Sequence, residues 1–200
     1  MPTILTEVPE LTLCDQPPHK RWTREEVECL EVSGLLEGQH YELIDGELIN
    51  KMGKKRPHTN TLIVVQGWLL RVFGEQYVNP ETSIDVALED KRVNEPEPDL
   101  IVLNKPSREI RDSNPQPDDI RLAVEISDST VRFDLKRKAE LYARAGVPEY
   151  WVFDIPGRRL IVHRDPREGR YQSITAYADH ENVRPLAAPD QEFRVGEAFL

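Results

Sequence analysis

The chain contains 200 residues, of which 38% are hydrophobic and 31% are charged, and its mean hydropathy is -0.56. These values are typical of one soluble globular domain and exclude a disordered chain or a long repeat array. No apolar run approaches the roughly 18 residues that a membrane-spanning helix needs. Residues 1–10 lack the basic and apolar regions of a signal peptide, so we expect a cytoplasmic protein with no membrane association.

The charge and the cysteines narrow the function classes further. The net charge of -10 and the pI of about 5.1 argue against a protein that coats nucleic acid nonspecifically, although a local basic groove remains compatible with them. Cys14 and Cys29 do not form a C-x-x-C pair, which excludes zinc-ribbon, iron–sulfur and thioredoxin sites. The sequence also lacks the glycine-rich motifs of Rossmann dehydrogenases and ATPases and the G-x-S-x-G motif of serine hydrolases.

The first predicted elements are an N-terminal arm and a short helix. Residues 1–21 are rich in proline and show no sustained periodicity, which predicts a partly extended arm followed by one domain over residues 22–200. Thr23 is followed three residues later by Glu26, the spacing of a capping box. A helix is therefore expected to begin directly after Thr23.

A hairpin and a longer helix are expected next. Residues 41–49 form two alternating segments around Asp45-Gly46, and Asp-Gly is among the strongest short signals for a β-hairpin. Apolar residues recur at helical spacing over residues 59–73, which predicts an amphipathic helix. A basic stretch, residues 51–56, leads into this helix.

The second half of the chain is predicted to form most of the β-sheet. We expect strands over residues 83–88, 99–103, 122–126, 149–154, 159–163 and 171–177. A helix is expected over residues 133–145, ended by Gly146, and an irregular tail follows the last strand. This order predicts a single α/β or α+β domain with a mixed central β-sheet flanked by helices.

Two acids stand in or beside the predicted strands. Asp99 directly precedes the apolar residues 100–103, and Glu125 lies within the apolar run 122–126, where an unpaired charge would be costly. A divalent cation bound by both carboxylates would compensate that cost, and oxygen ligands favour magnesium or manganese over zinc. Pairing of Glu125 with a basic residue in the core is the alternative.

Lys138 is a candidate for the same site. It lies four residues after Asp134 and four before Tyr142, so the three share one face of the helix that follows the Glu125 strand. Taken alone, Asp134 and Lys138 are expected to form a solvated ion pair. Beside the two acids, Lys138 would instead neutralise charge on a phosphate and orient an attacking water. Tyr142 is expected mainly to pack in the core, with a hydrogen bond into the site as the alternative.

Several motifs together resemble one known family. They are Glu97-Pro98-Asp99-Leu100, Val124-Glu125-Ile126-Ser127, Asp134-x-x-x-Lys138-x-x-x-Tyr142-x-x-x-Gly146, and the stretch 41–48 with the later His58. In order and spacing they resemble the Uma-two family of restriction-endonuclease-like proteins, from about residue 22 to residue 154. The resemblance implies a PD-(D/E)XK nuclease with a restriction-endonuclease-like core.

The resemblance also implies a set of catalytic residues. Asp99, Glu125 and the carbonyl of Ile126 would bind Mg2+, with Mn2+ as a substitute. The lysine that usually stands two residues after the second acid is absent, since Ser127 occupies that position. Lys138 on the following helix is the matching position in this family, so the resemblance assigns it the role of the catalytic lysine.

Further residues extend this implied site. Glu42 matches a family acid that completes the catalytic group, although a plain salt bridge is equally expected. Contacts with DNA phosphates are expected around the start of the second helix, from Lys54, Lys55, Arg56 and His58. His58 would either touch phosphate or assist proton transfer, and a helix-capping or exposed histidine is the alternative. Asp128 stands where the family has proline, and it would either join the outer shell of the metal or cap the next helix.

The sequence therefore predicts a Mg2+-dependent endonuclease that hydrolyses phosphodiester bonds of DNA. A homodimer would bring paired sites to both strands. Two alternatives remain open. One is a noncatalytic DNA- or protein-binding module on a nuclease fold, and the other is a metal-dependent hydrolase of a small phosphodiester.

Overall fold

The computed structural model describes residues 19–51, 55–111 and 113–199. The predicted arm therefore lies outside the described residues except for its last three. The helices in chain order are α1 (Arg24–Val32), α2 (Arg56–Phe73), α3 (Val131–Phe133) and α4 (Ala139–Ala145). A π-helical turn, Asp134–Lys138, joins α3 to α4 in one helical segment. Among the described residues, no helix combines the length and the apolarity that crossing a bilayer requires.

Within the described residues, six strands form the central sheet in the order β3-β4-β5-β6-β7-β8, and two small pairs, β1-β2 and β9-β10, lie outside it. The strands are β1 (Tyr41–Ile44), β2 (Glu47–Asn50), β3 (Val78–Pro80), β4 (Leu100–Leu103), β5 (Ile120–Ser127), β6 (Glu149–Asp154), β7 (Arg159–Arg167), β8 (Arg170–Ala178), β9 (Asn182–Val183) and β10 (Phe193–Arg194). Only the β5–β6 pair of the central sheet is parallel. The predicted mixed α+β domain is thus confirmed.

Two local predictions are confirmed by the turn and cap geometry. The side chain of Thr23 accepts a hydrogen bond from the N–H of Glu26, and the Glu26 carboxylate accepts one from the N–H of Thr23. This reciprocal capping box begins α1. Asp45 and Gly46 have φ angles of 50° and 76°, as a tight hairpin turn between β1 and β2 requires.

Strand β5 sends alternate side chains to opposite faces of the central sheet. Val124 and Ile126 belong to the apolar cluster that packs against α2, whereas Ala123 belongs to the cluster that packs against α4. Because side chains alternate along a strand, Glu125 lies on the face that α4 covers. This register determines which helix can supply a partner for Glu125.

The predicted strand over residues 83–88 is wrong. The N–H of Ile84 donates to the carbonyl of Pro96, and the N–H of Asp85 donates to the carbonyl of Pro115, so this segment bonds to loops rather than to a ladder. Ile84, Asp85 and Val86 are buried in succession, which breaks the alternation of a half-exposed strand. The edge position is taken by β3, which pairs with β4.

The predicted irregular tail is also wrong in part. Phe193 and Val195 are buried in the cluster that contains α2. The Thr61 hydroxyl donates to the carbonyl of Ala198 at 2.6 Å, and the Trp68 indole donates to the carbonyl of Glu192 at 3.2 Å. The C-terminal residues therefore complete the core on this face of the sheet.

Candidate active site

A cavity of about 440 Å³ lies where the β1–β2 hairpin, the start of α2, β5 and the helical segment after β5 meet. Its lining includes Glu42, His58, Asp99, Glu125, Ile126 and Lys138. Lys55 lines it as well, so the structure brings together seven of the site residues predicted from the sequence, although they come from five separate elements or loops.

The sheet register places the two candidate metal-binding acids side by side. Leu100 of β4 lies opposite Val124 of β5 in their antiparallel ladder, so continuing the register by one residue sets Asp99 opposite Glu125. Directly opposed residues of an antiparallel pair are close neighbours on one face. The N–H of Ile126 donates to Oδ2 of Asp99 at 2.8 Å, which fixes the Asp99 carboxylate at the end of β5.

Lys138 lies at the centre of the buried acidic cluster. Its Nζ atom is 2.7 Å from Oε1 of Glu125 and 2.8 Å from Oε2 of Glu42. Tyr142, one turn further along the helical segment, donates its hydroxyl proton to the same Oε1 of Glu125 at 3.2 Å. Tyr142 therefore packs in the core and also bonds into the site.

The expected solvated pair between Asp134 and Lys138 is wrong, because both side chains are buried. Oδ2 of Asp134 accepts hydrogen bonds of 2.6 Å from the hydroxyls of Ser127 and Thr130. These bonds hold the first residue of the π turn against the end of β5. Sequence spacing alone did not identify Asp134 as part of the cavity, but the hydroxyls of Ser127, at the end of β5, and of Thr130, just after it, were a usable signal.

Burial and neighbouring charges shift the protonation of this cluster. Burial raises the pKa of Glu125 well above its usual value; Lys138 opposes that shift, and Asp134, Asp99 and Glu42 add to it. Burial also disfavours the charged form of Lys138, but the attraction of Glu125 and Glu42 prevails and holds the pKa of Lys138 well above its usual value. The buried Lys138 is therefore an ammonium held between two carboxylates.

Asp99 responds in the opposite way. Burial favours its neutral form, but the hydrogen bond and charge of His58 and the N–H of Ile126 outweigh burial and hold the pKa of Asp99 well below its usual value. Nε2 of His58 lies 3.3 Å from Oδ2 of Asp99, and Nδ1 of His58 is buried with no hydrogen-bond partner among the described residues. His58 is neither exposed nor the N-cap of α2, a position that Lys55 occupies.

Basic and acidic side chains alternate in the rest of the lining. Nζ of Lys55 is 3.6 Å from Oδ2 of Asp128, so Asp128 faces a lysine, while Thr130 occupies the N-cap position of α3. Nζ of Lys51 is 2.9 Å from Oε1 of Glu97. Arg56 is exposed on the first turn of α2, and the predicted DNA contact Lys54 lies outside the described residues.

The donor set of the cavity is compatible with a divalent cation that keeps part of its water shell. In the parts of the chain that the structure describes, no group of three or more His, Cys, Asp or Glu side chains is arranged to hold a metal. Asp99, Glu125 and Ile126 nevertheless line one cavity, and between them they possess two carboxylates and a backbone carbonyl. Magnesium typically binds one or two protein carboxylates and completes its shell with water and phosphate oxygens, so these residues fit it. The hydrogen bonds that Glu125 accepts from described residues both reach Oε1.

Comparisons with known proteins give the family and the fold. The model of the family described as "Uma2: Putative restriction endonuclease" matches residues 24–196. The chain belongs to the Uma2 family. Its fold resembles that of a solved protein from Anabaena variabilis ATCC 29413, described as "a putative nuclease belonging to DUF820", with a TM-score of 0.62. That match covers 80% of this chain and 89% of the other at 17% identity, so it shows the fold alone. No curated protein matches the chain.

Proposed function

We propose that this member of the Uma2 family is a Mg2+-dependent endonuclease that hydrolyses phosphodiester bonds of DNA and accepts Mn2+ in place of Mg2+. One observation carries the proposal: the buried ammonium of Lys138 contacts Glu125 in a cavity that Asp99 also lines. Two acids and a lysine around one cavity are the groups that metal-dependent phosphoryl chemistry uses.

The acids have distinct parts in this proposal. Asp99, Glu125 and the carbonyl of Ile126 would hold the cation, which when bound polarises the phosphate and lowers the pKa of a coordinated water. The ionised Asp99 is oriented by the N–H of Ile126 and by His58. Glu125 is oriented by Tyr142 and Lys138, so both carboxylates are positioned before substrate arrives.

Lys138 would stabilise the negative charge that develops on the phosphate oxygens. Its long side chain is held by Glu125 on one side and by Glu42 on the other. Oε2 of Glu42 also accepts a hydrogen bond from the N–H of Glu97 at 3.3 Å, which ties the hairpin to the segment before Asp99. Glu42 is therefore a positioning residue for the lysine.

DNA would be held next to the cavity by cations near the start of α2. Lys55 lines the cavity and Arg56 is exposed beside it, and Lys54 precedes them in sequence. Contacts of this kind reach phosphates and carry no sequence information. In a homodimer, two such cavities would face both strands of one DNA molecule.

The proposal is tested by incubating supercoiled and linear DNA with the wild type and with Asp99→Asn, each with Mg2+, with Mn2+ and with a chelator. We expect metal-dependent cleavage by the wild type and none by the variant, which controls for contaminating nuclease. If neither protein cleaves DNA although the wild type binds Mn2+, the proposed endonuclease is wrong. Salt-sensitive DNA binding would then indicate a binding module, because phosphate contacts weaken steeply with salt.

A further inference from the structure

We propose, building on the function above, that the cavity receives an unpaired nucleotide, so that this protein cleaves single-stranded or locally unpaired DNA in preference to the interior of a duplex. The inference rests on three observations that phosphate chemistry alone does not explain. They are the depth of the reactive groups, an apolar wall beside them, and the pairing of the basic residues around them with carboxylates.

The reactive groups lie below the surface. Asp99, Glu125 and Lys138 are 3%, 4% and 2% exposed. A phosphate must therefore enter the cavity to reach them. Within a regular duplex the phosphate stays attached to a stacked and paired nucleotide, whereas an unpaired strand can bend its backbone inwards. Enzymes that do chemistry on a base within a deep pocket use single strands or extrude the nucleotide from the helix, and a deeply placed phosphate site sets a similar requirement.

An apolar wall stands beside the acids. Ile49 of β2 and Phe133 of α3 both line the cavity, and their inner surfaces pack against the small apolar cluster that includes Ile44 and Leu141. An apolar surface does not bind a phosphate or a metal ion, whereas the base or sugar of an unstacked nucleotide can pack against it. Base–aromatic stacking is a general means of binding single strands without sequence preference.

The ring of Phe133 is held in place by its neighbours. The guanidinium carbon of Arg137 lies 5.3 Å from the ring centroid, and Arg137 is anchored on the hairpin by Asp45 and Glu47 at 3.2 and 2.8 Å. The Phe133 ring is therefore pre-positioned, so little freedom is lost when a base stacks against it. At about 440 Å³, the cavity is in the size range of sites for small organic ligands.

Charges around the cavity favour one strand over two. Lys51 contacts Glu97, and Lys55 faces Asp128, so both of these lysines are matched by carboxylates. The whole chain carries a net charge of -10. This negative charge repels a second phosphate backbone laid along the cavity rim more than it repels a single strand that enters toward Lys138.

The test uses one end-labelled DNA strand in three forms: alone, fully paired, and paired with a gapped complement that leaves a short unpaired window. With Mg2+, we expect cleavage of the free strand and of the window to be at least about tenfold faster than cleavage of the paired strand, since unpairing removes the cost of extrusion. Equal rates on all three forms would overturn the inference and leave the proposed endonuclease standing.

A measurement of DNA binding in the presence of a chelator tests the preference for unpaired DNA separately from the proposed cleavage. Fluorescence anisotropy should show tighter binding of the free strand than of the duplex, and Phe133→Ala should weaken binding of the free strand by about tenfold. Phe133→Tyr should retain binding, and Phe133→Leu, which keeps the apolar packing, should lose it. If no DNA form is cleaved with either metal, the proposed endonuclease fails, while the anisotropy still decides the inference.

Phe199→Ala is the matched control for the ring. Phe199 is likewise half-buried with an arginine, Arg158, 5.8 Å from its ring centroid, but it packs on the opposite part of the core. We expect Phe199→Ala to leave the affinity for the free strand unchanged. Loss of affinity in both alanine variants, or in neither, would overturn the role given to Phe133.

Discussion

Nζ of Lys138 lies 2.7 Å from Oε1 of Glu125, and both groups are almost fully buried. This contact joins the helical segment after β5 to the central sheet. The same ammonium reaches Glu42 on the hairpin at 2.8 Å, so a single cation connects three parts of the fold. Its removal is expected to affect stability and catalysis together.

Lys138→Met should lower the DNA cleavage rate by about 100-fold through loss of transition-state charge stabilisation. It should also lower the free energy of unfolding by about 3–5 kcal/mol, because it leaves Glu125 and Glu42 buried without their cation. Urea denaturation at neutral pH measures the second effect. Lys136→Met, an exposed lysine of the same π turn, should change stability by less than about 0.5 kcal/mol.

Asp99→Asn and Glu125→Gln should each lower cleavage by at least about 100-fold, because a bound metal supplies several kcal/mol of transition-state stabilisation. Both should also weaken Mn2+ binding in a calorimetric titration. Glu28→Gln on α1 removes an exposed carboxylate away from the cavity and serves as the matched control. Undiminished Mn2+ binding in both variants would place the metal elsewhere.

The pH dependence of stability should reveal the raised pKa of Glu125. Its pKa is raised in the folded protein by burial, so above the unfolded value of 4.5 the folded state holds the extra proton. Stability should therefore fall as the pH rises from 4.5 through the folded pKa. In thermal unfolding at a series of pH values, Glu125→Gln should reduce this slope without abolishing it, because the pKa of Asp134 is raised by burial as well.

Asp99 should act in the opposite direction at low pH. Its pKa lies well below its usual value of 3.8 in the folded protein, so its stabilising contribution is present above 3.8 and is lost as the pH falls toward the folded pKa. Asp99→Asn should therefore flatten the acid side of the stability curve, where Glu125→Gln has little effect. A curve unchanged by Asp99→Asn would contradict the ionised state assigned to Asp99.

Gly46→Ala should destabilise the hairpin that carries Glu42. Gly46 has a φ of +76°, and an added Cβ would lie 2.9 Å from Cβ of Arg21. Gly38 has nearly the same φ, +73°, with no atom within 4 Å of an added Cβ. Gly38→Ala should therefore cost about 1 kcal/mol from backbone strain alone, and urea denaturation should show a larger loss for Gly46→Ala. Equal losses would mean that the contact with Arg21 is relieved without cost.

Local signals in the sequence predicted the start of α1 and the β1–β2 turn, because a capping box and an Asp-Gly pair act through neighbouring residues. The family motifs also selected side chains that meet in one cavity. The apolar pattern of residues 83–88 wrongly predicted a strand, because loops on both sides bury this segment. The buried side chain of Asp85, for example, binds Arg24 and Lys91, and no periodicity reports such long-range partners.

The partners of individual site residues were harder to predict than their identity. Strand alternation predicts which face of the sheet Glu125 occupies. It does not predict that Lys138 is the partner of Glu125, because this depends on the helical phase after β5, which the π turn sets. A π turn has no pattern of its own in the sequence. Spacing alone therefore could not decide whether Lys138 forms a solvated pair with Asp134 or lies in the cavity.

The π turn also determines which change of length this region can accept. A π turn closes its hydrogen bonds over one more residue than an α-helical turn does, so it holds one extra residue within an otherwise α-helical segment. Deleting Leu135 would remove that residue and let the segment close as regular α-helix, with its two flanks in nearly the same relative orientation. The bond of Asp134 to Ser127 and the packing of Tyr142 against the sheet would then both be kept. This stretch should therefore accept a one-residue deletion far more readily than a one-residue insertion.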